Sequence, residues 1–257
     1  MQTWEERLSS TLADVHRLAP PAFVEAVAAL AFEATQEHGD AWFEANPRWP
    51  GVAAEATRLY YGYIVDNETQ DVARLMGQPH APGTPFRAMV SEKGRTAYDR
   101  VADMFAHVDF ARCRRMAMVG CGQLPVTALH VMDRTEVPEL VLLDVSPRAI
   151  ESVEALRDRF GWHRLQPRLA DGAAFDFAGA DVVYVANMVH GKAATVRRAL
   201  ATAAPDAQFV VREPWSLGRL WAERAELELA DVLEVDGRGP VSRHLSRDLY
   251  VRRRRQA

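Results

Sequence analysis

The sequence predicts an α/β fold with a mostly parallel sheet, and three observations indicate it. From about residue 112 onward, apolar runs of strand length alternate with helical segments, the pattern of a sheet covered by helices on both faces. The first of these runs ends in a Gly-x-Gly turn, and the second ends on an acidic residue. Before residue 112, the apolar residues recur at helical spacing without strand alternation. We therefore expect residues 1–111 to form a helical cap and residues 112–257 to form the sheet domain.

Each predicted strand corresponds to one apolar run. The runs are Met116–Val119, Leu140–Leu143, Val182–Val185 and Phe209–Val211, and Arg164–Leu169 is a further candidate. Ser146–Phe160 and Ala193–Ala203 have helical spacing and connect these runs. The chain end is different, because Leu229–Val235 and Leu249–Arg252 flank a Gly-rich bend. We expect this end to form a terminal antiparallel pair, with the last strand antiparallel to its neighbours.

Composition and charge exclude several classes of protein. The 257 residues are 48% hydrophobic, and 31 basic against 35 acidic residues give a net charge of −4, which does not favour nucleic-acid binding. Cys113 and Cys121 are too few for a disulfide framework and lack zinc-ligand spacing, so no metal is expected. The N-terminus is acidic where a signal peptide is basic, and no run approaches the roughly 20 apolar residues of a membrane span. These features predict a soluble, cytoplasmic protein without membrane contact.

The segment Val119–Pro125 (Val-Gly-Cys-Gly-Gln-Leu-Pro) is the main indication of a bound nucleoside. A dinucleotide site uses three glycines, but the third position here is Pro125. Gly120 and Gly122 still allow close approach of the backbone to a ligand, and a proline costs little near the start of a helix. The loop therefore favours S-adenosylmethionine over NAD or FAD. An ordinary tight turn is the alternative interpretation of the two glycines alone.

Two acidic residues after the next strands support the same interpretation. Asp144 ends the second apolar run, where an acid accepts hydrogen bonds from the hydroxyls of a ribose. Asp171 follows Arg164–Leu169, at the position where such sheets contact the adenine. We therefore expect Gly120, Gly122, Pro125, Asp144 and Asp171 to bind the adenosyl cofactor.

The same residues resemble the nicotianamine synthase family. Val119–Thr127 is similar to the family's Gly-x-Gly-Pro-Leu-Pro-Leu-Thr loop, and the similarity continues through the segments Leu143–Pro147, Val182–Ala186 and Val210–Arg212. Tyr98-Asp99-Arg100 resembles the family's Tyr-Asp-Asn signature and departs from it at the third residue. The family includes bacterial opine-metallophore aminobutanoyl transferases, and azetidine-2-carboxylate synthases are close in architecture. The resemblance implies a Rossmann-like sheet of the class I methyltransferase type.

The resemblance also implies a reaction at an unusual carbon. Members of the family use S-adenosylmethionine as a substrate, expose Cγ of its aminobutyrate arm to an amine and release 5′-methylthioadenosine. The amine belongs either to a second small molecule, which gives aminocarboxypropyl transfer, or to the substrate itself, which gives azetidine-2-carboxylate. The sequence does not separate these two reactions. An ordinary small-molecule methyltransferase is the first alternative, because it shares the sheet, the loop and Asp144. A non-catalytic module that binds S-adenosylmethionine is the second. Whether the protein forms a homo-oligomer also stays open.

Five polar residues are candidates for substrate binding and proton transfer. Tyr98 could orient the amine, and Asn187, at the carboxyl edge of a central strand, could bind the amino or carboxylate group of the cofactor. Arg212 could pair with a carboxylate, and Glu213 could bind or deprotonate an ammonium group. Alternatives are a Tyr98 packed between cap and sheet and a structural salt bridge in Arg212-Glu213. His190 could be a general base or a simply exposed loop residue.

The helical cap contributes a cluster of aromatic and acidic residues. Turns such as Pro20-Pro21 and Pro50-Gly51 divide this region into short helices. Tyr60-Tyr61-Gly62-Tyr63 precedes Asp66-Asn67-Glu68, and aromatic faces attract a sulfonium or ammonium by cation–π interaction. Helix packing alone also explains tyrosines at this spacing. We expect the cap to cover the site and exclude water, since hydrolysis competes with transfer.

Overall fold

Five α-helices make up the first part of the chain in a computed structural model that describes residues 2–30, 33–46, 49–242 and 244–254. They are α1 (Trp4–Ala13), α2 (Pro20–Leu30), α3 (Gln36–Ala45), α4 (Pro50–Met76) and α5 (Glu92–Met104). The prediction of short helices is wrong for α4, which has 27 residues. Pro50 stands at the first helical position, where its fixed φ suits the helix and no N–H is needed. This proline therefore begins α4 instead of breaking it.

The second part of the chain forms one seven-stranded sheet. Its strands are β1 (Arg115–Val119), β2 (Glu139–Asp144), β3 (Leu165–Leu169), β4 (Val182–Val185), β5 (Gln208–Pro214), β6 (Leu233–Arg238) and β7 (Ser246–Arg253). Their order is β3-β2-β1-β4-β5-β7-β6. The first five strands in this order pair in parallel, and β7 is antiparallel to both β5 and β6. This arrangement confirms the predicted α/β sheet, including the antiparallel last strand.

Helices cover both faces of the sheet. α6 (Val126–Arg134) and α7 (Pro147–Phe160) share one hydrophobic core with α5, and α8 (Lys192–Thr202) packs on the opposite face. The residues of β1 alternate between the two cores: Met116 and Met118 belong to the first, and Ala117 and Val119 to the second. The continuous apolar runs in the sequence are therefore strands buried on both sides.

A third hydrophobic core joins α1–α4 to the segment that follows β5. Trp221 from this segment stacks on Tyr60 of α4, with ring centroids 4.5 Å apart. The hydroxyl of Ser216 donates to the backbone oxygens of Ala34 and Thr35. The predicted boundary near residue 112 falls between α5 and β1, but this core includes residues from both sides of it. The division into domains at 1–111 and 112–257 stays a prediction.

Candidate active site at the carboxyl ends of the strands

A cavity of about 720 Å³ lies between α4 and the carboxyl ends of β1, β2, β3 and β4. Its α4 wall extends from Ala54 to Glu68, which corresponds to about 21 Å of helix. The opposite wall consists of the loops that follow the four strands, including Gly120–Gln123, Asp144–Ser146 and Ala186–His190. Open α/β sheets bind their ligands at this edge, where the strand order reverses between β1 and β4.

The two glycines of the loop after β1 are required by both conformation and space. Gly120 and Gly122 have φ values of +77° and +66°, which residues with a side chain rarely adopt. A Cβ on Gly120 would lie 2.8 Å from Cγ2 of Val189, and a Cβ on Gly122 would lie 2.7 Å from both carboxylate oxygens of Glu68. Pro125, also predicted to bind the cofactor, precedes the first residue of α6 and is not among the described residues that line the cavity. The loop is thus pressed between the segment after β4 and the helix α4.

Asp144 fixes the shape of this loop and lines the cavity. Its Oδ2 accepts a hydrogen bond from the backbone N–H of Gly122, and its Oδ1 accepts one from the N–H of Ser146, both at 2.9 Å. Each carboxylate oxygen has two lone pairs, so both can still accept from a ligand hydroxyl. Asp171 also lines the cavity and holds its own turn through the N–H of Ala173, at 2.8 Å. The predicted residues Gly120, Gly122, Asp144 and Asp171 therefore meet at one cavity.

Asn187 lies in the same cavity, and its buried amide makes no hydrogen bond to the described residues. The residue follows β4 and is 7% exposed. Neither its Oδ1 nor its Nδ2 has a hydrogen-bond partner among the described residues. A buried amide without partners costs free energy, so such groups usually serve a bound molecule or an ordered water.

Glu68 is a site residue that the sequence analysis did not single out. Its Oε2 accepts a hydrogen bond from the backbone N–H of Gln123, at 2.8 Å. Burial in the cavity wall raises the pKa of Glu68 to about 7, and the negative charge of Asp144 acts in the same direction although backbone N–H groups oppose it. A carboxyl group with this pKa can take a proton from an amine near neutral pH. The signal in the sequence is the seven-residue spacing of Tyr61 and Glu68, which puts both on one helix face.

Tyr98 is not among the residues that line the cavity. It lies within α5, fully buried, and its hydroxyl donates to Oδ2 of Asp133 at 2.8 Å. The ring of Tyr98 packs against His130, with centroids 4.6 Å apart. Burial, followed by this hydrogen bond and the charge of Asp133, raises the pKa of Tyr98 to about 12. The contacts of Tyr98 are those of a residue packed between α5 and α6.

The side chains of Arg212 and Glu213, like that of Tyr98, have partners within the protein. Nε of Arg212 donates to the hydroxyl of Ser246 at 2.9 Å, and its Nη1 is 3.5 Å from the carboxylate of Asp248. Glu213 is 1% exposed and accepts from the backbone N–H of Ala225. Its Oε1 is 3.8 Å from Nζ of Lys192. Neither Arg212 nor Glu213 is among the described residues that line the cavity.

The charges around the cavity favour a cationic ligand. The cavity wall contains three carboxylates, those of Glu68, Asp144 and Asp171, and two guanidinium groups, those of Arg58 and Arg148. The charge of Arg58 is paired with Glu55, whose Oε2 accepts from its Nε at 2.8 Å. Arg148 is on the α7 side, where it donates to the hydroxyl of Thr69. His190 is exposed at the rim and contacts Glu223 at 3.2 Å. A sulfonium or ammonium group fits this balance better than a phosphate does.

Two kinds of feature were not found in the part of the chain that the structure describes. No group of three His, Cys, Asp or Glu side chains there is arranged to hold a metal ion. None of the helices within the described ranges has the length and apolar character that a bilayer span needs.

Comparisons with known proteins identify the fold. No protein-family model matches the chain, and no curated protein sequence matches it. Among solved structures, the nicotianamine synthase MtNAS in complex with MTA and tNA is 11% identical, with a TM-score of 0.82 over 99% of this chain and 100% of that one. A glutamate-to-glutamine variant of MtNAS in complex with S-adenosylmethionine gives 0.81, at 11% identity over 98% and 99% of the two chains.

A methyltransferase is similar over most of the chain but less closely. The mitomycin 7-O-methyltransferase MmcR is 21% identical, with a TM-score of 0.52 over 90% of this chain and 75% of that one. These similarities show a class I methyltransferase fold. The similarity to MtNAS extends over the N-terminal helices as well as the sheet.

Proposed function

We propose that this protein uses S-adenosylmethionine as a substrate and transfers its aminobutyrate arm to an amine. One observation carries the proposal: the cavity contains two acids in different environments, and both contact the same glycine loop. Asp144 accepts from the N–H of Gly122, whereas Glu68 accepts from the N–H of Gln123 and has a pKa of about 7. The first acid suits a ribose diol, and the second suits the removal of a proton from an amine.

In this proposal each cavity residue has one role. Gly120 and Gly122 let the backbone approach the substrate, Asp144 binds the ribose hydroxyls, and Asp171 lies beside the adenine. Asn187 binds the amino or carboxylate group of the aminobutyrate arm through its unpartnered amide. The half-exposed ring of Tyr61 lies near Asp144 and Glu68, where it can contact the sulfonium by cation–π interaction.

The proposed reaction is a displacement at Cγ. The amine nitrogen forms a bond to Cγ while the Cγ–S bond breaks, and the electron pair of that bond stays on sulfur, so that the sulfonium leaves as 5′-methylthioadenosine. Glu68 accepts the proton that the amine loses. In-line attack requires nitrogen about 3 to 3.5 Å from Cγ with sulfur behind it, so geometry alone selects Cγ over the methyl carbon.

The full-length similarity to MtNAS supports attack at Cγ, because it includes the helical part that contributes Glu68. We propose further that residues 1–111 act as a cap on the domain formed by residues 112–257. The wall that α4 contributes to the cavity supports a covering role for this region. Cyclisation of the substrate and transfer to a second small molecule both use the same attack on Cγ.

Product analysis separates these reactions. The protein is incubated with S-adenosylmethionine alone and with a panel of amino acids and other amines, and the products are resolved by mass spectrometry. Methylthioadenosine with azetidine-2-carboxylate in the absence of acceptor indicates cyclisation. Methylthioadenosine that forms only with an added amine indicates transfer. S-adenosylhomocysteine instead indicates a methyltransferase and overturns the proposal, as does the absence of any turnover.

A further inference from the structure

Lys192 is exceptional in this chain by type and by burial. Of the 31 Lys and Arg residues, only Lys93 and Lys192 are lysines. Lys192 is the first residue of α8, and its side chain is fully buried. A lysine is almost never fully buried unless its ammonium group has specific partners. One of only two lysines in an arginine-rich chain is therefore at a position where the side chain is hidden from solvent.

The ammonium group of Lys192 has three partners from two segments. Nζ donates to the backbone oxygens of Arg212, at 2.9 Å, and Glu223, at 2.8 Å, and it is 3.8 Å from Oε1 of Glu213. The backbone N–H of Lys192 donates to Oε2 of Glu223, at 3.2 Å. The side chain of Lys192 is therefore tied to β5 and to the segment that follows it, and its backbone N–H is tied to that segment.

Lys192 stands at the end of the loop that carries Asn187. This loop, Ala186–Gly191, begins where the N–H of Ala186 donates to the backbone oxygen of Val119, at 3.0 Å. It ends at Gly191, which has a φ of +61° and supplies no side-chain cap to α8. The same Glu223 that accepts from Lys192 also contacts Nδ1 of His190, at 3.2 Å. Glu223 thus contacts the residues on both sides of Gly191.

We infer that Lys192 is a positioning residue that fixes the end of the Ala186–Gly191 loop and so holds the amide of Asn187 in the cavity. This inference goes beyond the proposed function, because it concerns the placement of Asn187 whichever carbon of the substrate is attacked. Lys192 itself is not among the residues that line the cavity. Its effect on a bound molecule is therefore exerted through the loop.

The geometry explains why a lysine is used here. An ammonium group is a compact charge with three donors around one nitrogen, which suits two carbonyl oxygens and a carboxylate in different directions. A guanidinium group is planar and larger, so its donors form a fixed fork. Arginine would also overfill a site where the side chain has no exposed surface. We therefore expect Lys192→Arg to fail to restore the function of the lysine although it keeps the positive charge.

The charges around Lys192 make the arrangement sensitive to pH. Burial lowers the pKa of Lys192 to about 8, the carboxylates of Glu213 and Glu223 raise it, and Arg212 lowers it further. Around Glu213 itself, burial raises the pKa to about 7, Lys192 and Arg224 lower it, and Glu226 raises it. Lys192 therefore loses its proton, and with it the attraction to Glu213, on the alkaline side of neutrality.

Hydrogen–deuterium exchange of the ligand-free protein tests this inference. We expect the amides of residues 187–190 to exchange about tenfold faster in Lys192→Met and in Lys192→Arg than in the wild type, with residues 119–123 unchanged. For turnover we expect a fall in kcat of about tenfold and a change in the Kd for S-adenosylmethionine of less than about threefold. The turnover of the wild type should decline at alkaline pH, and Glu213→Gln should move this decline to lower pH.

Glu223→Ala, a substitution at the surface, tests the same inference if the Lys192 variants do not fold. Glu223→Ala removes the carboxylate that binds the N–H of Lys192 and the ring of His190, and we expect it to speed exchange at residues 187–190. Its control is Glu234→Ala on β6, which removes a carboxylate of similar exposure that pairs with Arg252. Unchanged exchange at residues 187–190 in a folded Lys192→Met or in Glu223→Ala would overturn the inference. Because exchange is measured without substrate, this result is independent of whether the proposed reaction is observed.

Discussion

Glu68 of α4 accepts a hydrogen bond from the backbone N–H of Gln123, 55 positions further along the chain, at 2.8 Å. This bond connects the helical part of the protein to the glycine loop at the point where the cavity is formed. The side chain of Gln123 strengthens the connection, because its Nε2 donates to the hydroxyl of Thr69 at 3.0 Å. The residue that we propose as the proton acceptor therefore also holds the helix against the loop.

Glu68→Gln tests the proton transfer. A glutamine keeps the size of the side chain and an oxygen that can accept from Gln123, but it cannot take a proton. We expect methylthioadenosine formation to fall by about a hundredfold or more, with the Kd for S-adenosylmethionine changed by only a few fold. The decline of wild-type turnover below pH 7 should be absent from the residual activity. The control is Glu25→Gln on the exposed side of α2, and equal turnover in the two variants would contradict the proton-transfer role.

The raised pKa of Glu68 also predicts how stability depends on pH. Between pH 4.5 and about 7 this carboxyl group is protonated in the folded state and ionised in the unfolded state. The folded state then binds more protons, so the free energy of unfolding falls as the pH rises through this window. Glu68→Gln removes the free-energy cost of holding an ionised carboxylate in the folded state. We expect this variant to be more stable than the wild type by about 1–3 kcal/mol at pH 8 and equally stable at pH 4. Urea unfolding at both pH values measures this, and a variant less stable at pH 8 would contradict it.

The sheet could be predicted because its signals are local. Each of β1, β2, β4 and β5 is an apolar run buried on both faces, and Gly120 and Gly122 mark the end of β1 without reference to any other segment. The length of α4 could not be predicted in the same way, because Pro50-Gly51 has the composition of a turn. Only the structure shows that this proline begins the helix.

The contacts of the polar residues could not be predicted because their partners are distant in the sequence. Arg212 meets Asp248 and Ser246 of β7, and Glu213 meets Lys192 of α8. These partners are between 21 and 36 positions apart in the sequence, so no local sequence pattern indicates the contacts. Glu68 was part of a recognised acidic cluster, but its importance depends on Gln123. A residue at a strand end can thus be assigned to the right edge of the sheet while its side-chain partners stay unknown.

Gly122→Ala tests the packing of the loop against α4. The alanine would have to adopt a φ of +66°, and its Cβ would lie 2.7 Å from both carboxylate oxygens of Glu68. We expect a loss of about 1–3 kcal/mol in the free energy of unfolding, together with loss of activity, because Glu68 must move. The matched control is Gly62→Ala inside α4, where the nearest atom is 3.7 Å away. That variant should gain about 0.5–1 kcal/mol, and similar effects of the two substitutions on urea unfolding would contradict this account.

Asp144→Ala tests the assignment of the nucleoside site. The substitution removes the acceptor for the N–H groups of Gly122 and Ser146 and the proposed acceptor for the ribose hydroxyls. We expect the affinity for S-adenosylmethionine, measured by calorimetry, to fall by about tenfold or more, since a hydrogen bond to a charged group contributes about 1.5–3 kcal/mol. Asp206→Ala, in an exposed turn, is the control. Undiminished affinity in Asp144→Ala would show that the nucleoside does not bind at Asp144.

Asn187→Leu tests whether the amide of Asn187 serves the fold or the reaction. This amide follows β4 and lies in the cavity. Leucine has a similar shape and removes two polar atoms that have no partner among the described residues. Because an unpaired buried amide is unfavourable, we expect the free energy of unfolding to stay the same or to rise by about 1 kcal/mol. Turnover should fall by about tenfold or more, since the aminobutyrate arm loses its polar contact and Cγ is no longer aligned with the amine. Urea unfolding and methylthioadenosine formation are measured on the same preparation. A destabilised but active variant would mean that the amide serves the fold and that the arm is bound by other residues.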